Sequence, residues 1–205
     1  MQIRRGNGWN GWALTGWVAA ALLAMAFAAA LAAPGPVEAA RFVIRLTART
    51  SLLLFTLAFT ASGMAALAPC AATNWQRRNR RYIGCAFAVS HLIHLAGIVA
   101  LASLDRPLFL ALTSPVTFVT GGLCYVLILA MAATSSDRAV AALGPRAWRR
   151  LHSFGAWYIW VSFVFAFGKR AAVDPAMYWP AMATVLLALL VRLAAMGRGP
   201  RLSTP

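Results

Sequence analysis

Acidic side chains are nearly missing from this chain: four Asp and Glu stand against 19 Lys and Arg in 205 residues. None of the four (Glu38, Asp105, Asp137, Asp174) falls inside an apolar run. That leaves no buried carboxylate for proton pumping, general acid–base work or a hard-cation site. Histidine is almost as scarce, with three in the chain. The three cysteines, Cys70, Cys85 and Cys124, form no CxxC, no haem-attachment CxxCH and no even-numbered disulfide framework. Cys85 and Cys124 lie within apolar runs, where a thiol packs as a small hydrophobe. There is no Ser/His/Asp set, no glycine-rich phosphate loop and no internal repeat.

What remains is apolar. The chain is 61% hydrophobic and 11% charged, too little polar surface to cover a soluble domain of this length. The apolar runs are about 20 residues long, the length of a bilayer-crossing helix rather than of alternating strands. The expected fold class is all-α integral membrane, a six-transmembrane-helix bundle in one domain. Its spans cover about residues 12–33, 47–67, 82–104, 114–133, 149–167 and 176–196. The first run ends in Ala-Leu-Ala-Ala-Pro, which resembles a signal-peptide cleavage site, but its length favours a retained helix. Ser114-Pro115 and Asp174-Pro175 read as helix caps, and Gly121-Gly122 as a place for a neighbour to approach closely. Asp105-Arg106-Pro107 breaks the third span, and residues 34–40, 68–81 and 134–150 read as loops.

The net charge of +15 sits beside and between the apolar runs, which fits arginines meeting lipid head groups and not nucleic acid. With the N-terminus inside, 13 basic residues fall on the inner side: Arg4, Arg5, Arg77, Arg78, Arg80, Arg81, Arg138, Arg146, Arg149, Arg150, Arg192, Arg198 and Arg201. Six fall outside: Arg41, Arg45, Arg49, Arg106, Lys169 and Arg170. The bias places both termini in the cytoplasm.

All three histidines enter apolar runs. His91 and His94 lie one helical turn apart in the third span, and His152 opens the fifth. An imidazole in hydrocarbon is costly and marks a functional site. Haem iron is a common destination for such imidazoles, and a bundle interior a usual place for it. A structural interhelical hydrogen bond, another metal and a proton path are the competing readings. Depth separates the candidates: His94 lies roughly 18 Å in from Tyr82, and His152 within about a turn of the inner edge. Arg49 is the candidate partner for a haem propionate, its alternative being to snorkel to the head groups.

Four stretches of the chain carry a resemblance. They are Arg49-Thr50; Arg80-Arg81 with Gly84, Phe87 and His94; Thr134-Ser135; and Trp148-Arg149-Arg150-Leu151-His152. In order and spacing, over about residues 41–167, they resemble the ferric reductase-like transmembrane domain family. Within it, the similarity is greatest to haem-binding membrane subunits of bacterial periplasmic methionine sulfoxide reductase systems. The resemblance implies a b-type haem cytochrome of the bacterial inner membrane, with His94 and His152 as iron ligands. It implies electrons taken from quinol or a cytosolic flavin reductase and given to a periplasmic oxidoreductase partner or to ferric iron. The family's second histidine of the fifth span falls at Phe165, which cannot ligate iron, so one haem is expected rather than two. His91 is then a rival ligand. A non-redox structural subunit, or a degenerate member that has lost haem, is the alternative.

Overall fold

A computed structural model describes residues 9–197. Arg4, Arg5, Arg198 and Arg201, four of the basic residues used to orient the chain, lie outside the described residues. Among the described residues eight helices follow one another: α1 Gly11–Leu31, α2 Pro36–Leu67, α3 Ala71–Leu104, α4 Arg106–Leu112, α5 Pro115–Ala133, α6 Asp137–Leu143, α7 Pro145–Val173 and α8 Pro175–Gly197. All but α4 and α6 are long and apolar enough to cross a membrane. The protein is a six-helix membrane bundle.

Helix starts follow local chemistry. Ser114 accepts from the Thr117 amide at 3.2 Å, with Pro115 at the first helical position. Asp174 accepts from the Met177 amide at 3.1 Å and so caps α8. Pro180 falls early in α8, where little of the hydrogen-bond ladder lies before it. Asp105 ends α3 and its carboxylate accepts from Leu108 N at 2.9 Å, starting α4 in a stretch expected to be a simple break.

The helices outrun the apolar stretches. At 34 residues, α3 is about 51 Å long against a hydrocarbon core of about 30 Å. Its first three turns, Ala71 to Arg81, were expected as loop and are helix. Residues 36–46 likewise extend α2 beyond its apolar core. Hydropathy marks where the bilayer is, while backbone hydrogen bonding continues through arginines whose stems lie along the helix. The connection after α5 is also partly helical, as α6. Arg81 pairs with Asp137 there and holds that carboxyl below its usual range.

α2 is the centre of the bundle. It packs along α3, with α1 against both and α8 on its other flank; α7 joins α8, and α5 joins α7 and α3. An aromatic core fills the middle. The Phe55 ring lies 5.1 Å from Phe59, 5.6 Å from Phe87 and 5.3 Å from Phe163, linking α2, α3 and α7. Gly63 lets α2 and α8 meet: a Cβ there would lie 3.0 Å from Val191 Cγ1 and 3.2 Å from its carbonyl oxygen. Because the backbone cannot give way as a side chain can, Gly63→Leu is expected to cost about 1–3 kcal/mol. Thermal unfolding in micelles measures it. The Gly121-Gly122 pair does not serve that purpose, since a Cβ at either would meet nothing within 4 Å. α5 buries only Cys124, Leu127 and Ile128, all past that pair.

Candidate functional site

His94 is set by α2. Its Nδ1 lies 3.0 Å from the Ile44 carbonyl oxygen and 3.0 Å from Thr47 Oγ1. Thr47 donates its own hydroxyl hydrogen to the Val43 carbonyl at 2.6 Å, so it accepts from His94. A carbonyl can only accept. The ring proton is therefore on Nδ1, and Nε2 carries a free lone pair. This is the tautomer in which metal-ligating histidines are held, with the far nitrogen tied to a backbone carbonyl.

A buried hydroxyl seam continues from this point. Ser51 Oγ donates to Ser90 Oγ at 2.9 Å, and Thr50 Oγ1 lies 3.0 Å from the same atom. Ser51 and Ser90 are fully buried. The seam registers α3 on α2 and so fixes the rotation that aims His94.

His91 lies one turn below, its ring 5.3 Å from that of His94 at an interplanar angle of 28°. The Phe87, Tyr125 and Phe163 rings surround it at 5.2, 5.0 and 6.3 Å. Its Nδ1 is buried without a hydrogen-bond partner, and so is the Tyr125 hydroxyl. An orphaned imidazole nitrogen in an aromatic pocket has paid its desolvation without compensation.

His152 occupies a different level. Its Nε2 lies 3.1 Å from Thr134 Oγ1, which itself donates to Ala130 O, so His152 is the donor. Its ring stacks on Trp148 at 4.3 Å, and Trp148 Nε1 donates to Thr134 O at 2.9 Å. Phe163, which flanks His91, is eleven residues further along α7, a rise of roughly 16 Å. The pairing of His152 with His94 or His91 across one iron is therefore not made by this bundle. Two imidazoles on one iron stand about 4 Å apart, at about 2 Å each. Tilt does not close a gap of this size, because the aromatic core pins α7 beside α3.

Arg49 is also away from the site. It follows Thr47 by two residues, about 200° round the helix, and lies exposed while Thr47 is buried against His94. Phe165 faces outward with 64% of its surface exposed, so the inward residue near His91 is Phe163 instead.

The residues present fit a haem at His94. Among the described residues no three His, Cys, Asp or Glu side chains gather, so a bare ion would lack a protein shell. A haem brings its own ring nitrogens and asks the protein for one or two imidazoles. Thr47, Ser90 and Tyr125 were not foreseen from sequence; a hydroxyl every few residues in an apolar helix was their only signal. Compared with protein families, curated proteins and solved structures, the chain matches none of them.

Proposed function

We propose that this chain is a b-type haem membrane cytochrome of the ferric reductase-like kind, seated in a bacterial inner membrane with both termini in the cytoplasm. The observation that carries the reading is His94, held in the ligating tautomer by Ile44 and Thr47 with Nε2 free. A bound haem would supply one-electron transfer at a potential set by its ligands and surroundings. The protein's own part is to orient the imidazole and to keep water from it. Thr47 and Ile44 do the first, and burial of the ring between α2 and α3 serves the second, with Phe87, Phe163 and Tyr125 enclosing His91 one turn below. Electrons would come from quinol or a cytosolic flavoprotein and pass to a periplasmic oxidoreductase or ferric iron, following the family resemblance of Arg80-Arg81, His94 and Trp148 to His152.

The test is an absorbance spectrum of the detergent-purified chain, oxidised and dithionite-reduced, with haem counted per chain. One dithionite-reducible b-type haem per chain is expected. No haem, from cells that supply it in excess, would overturn the reading. The second reading is a non-redox structural membrane subunit. It is favoured by His152, whose hydrogen bond to Thr134 and stacking on Trp148 give it a complete local role without iron.

A further inference from the structure

The chain has four acidic side chains, and each is already engaged. Glu38 pairs with Arg41, Asp137 with Arg81, and Asp105 and Asp174 accept backbone amides as helix caps. Two arginines nonetheless converge where α2 turns into α3. Arg192 of α8 lies over the Phe59 ring at 4.6 Å and the Trp157 ring at 5.6 Å, donating to the Phe59 carbonyl at 3.3 Å. Arg80 of α3 donates to Ser62 Oγ at 2.9 Å. Phe59 and Ser62 are three residues apart on α2, so the two guanidiniums are tethered one turn from each other. They are within Coulombic range, and Arg80 is also within range of His152. Each arginine spends one of its five N–H donors on these tethers.

Like charges held one turn apart repel, and among the described residues no carboxylate is left to offset them. We infer that Arg80 and Arg192 form a phosphate-binding site at the α2–α3 turn. The chemistry is a phosphate bearing at least one negative charge, gripped by free guanidinium N–H groups. Its source is either the head group of an anionic lipid or a soluble phosphate. The site does not depend on haem.

The experiment uses the full chain in micelles, with native mass spectrometry of retained lipid and a thermal melt as readouts. The probes are phosphatidylglycerol, phosphatidylcholine and inorganic phosphate. Phosphatidylglycerol is expected to be retained over phosphatidylcholine, and Arg80→Gln and Arg192→Gln each to weaken retention about tenfold. Arg77→Gln and Arg78→Gln, exposed arginines on the same helix, are expected to leave it unchanged. Displacement of the lipid by inorganic phosphate assigns the site to a soluble phosphate; failure to displace assigns it to lipid. Equal losses in all four variants would reduce the effect to general surface charge and overturn the site. So would equal retention of the two lipids without phosphate binding. Arg192 packs on two rings, so Arg192→Lys is included to keep the charge, and Arg80→Gln, at an exposed position, stands as the variant that folds.

Discussion

The His94→Ala protein is expected to leave the membrane without haem, while His152→Ala and His91→Phe keep it. The asymmetry follows from how each ring is held. His94 has its Nδ1 proton fixed by Ile44 and Thr47, so Nε2 is presented as a lone pair at no further ordering cost. His152 has its own donor engaged with Thr134, roughly 16 Å along α7 from the level of His91. His91 and His94 stack on one face of α3, so they cannot grip one iron from opposite sides. Haem content per chain from the reduced spectrum reads all three variants. Thr47→Val adds a graded test: losing one of the two partners of Nδ1, with the Ile44 carbonyl kept, is expected to weaken haem retention by about tenfold without abolishing it. Full haem in His94→Ala would remove His94 as the ligand, and loss in His91→Phe alone would transfer the role one turn down the helix.

The largest stability loss is expected from Phe55→Ala, about 3–5 kcal/mol by unfolding in mixed micelles. Its ring touches Phe59, Phe87 and Phe163, so one truncation loosens α2 from both α3 and α7. Lipid tails are as apolar as the core, so water exclusion does not drive this packing; dispersion between closely fitted rings does. A cavity there has no partner atoms to replace them. Phe165→Ala is the matched control. Its ring faces outward, and the same truncation is expected to change stability by less than about 0.5 kcal/mol.

These two phenylalanines show where the sequence was readable. Spans and caps were, because Ser114 and Asp174 each act on an amide three residues away. Rotation about each helix was not. The stretch of α7 from Phe163 to Phe167 is wholly apolar, so nothing in it distinguishes Phe163, which faces His91, from Phe165, which faces out. Arg49 shows the same limit. Its spacing from Arg41 and Arg45 defines a face, but only Thr47 against His94 shows which face looks inward. The Arg80 and Arg192 pair was beyond reach because it joins residues 112 positions apart in sequence.

The hydroxyl seam has a consequence for biogenesis. Alone in hydrocarbon, α3 would carry Ser90, His91 and His94 with no polar partner from another helix, and α2 would carry Thr47, Thr50 and Ser51 likewise. Together they satisfy Ser90 and His94 across a three-residue turn. The two helices are therefore cheaper to deliver as a hairpin than one after the other.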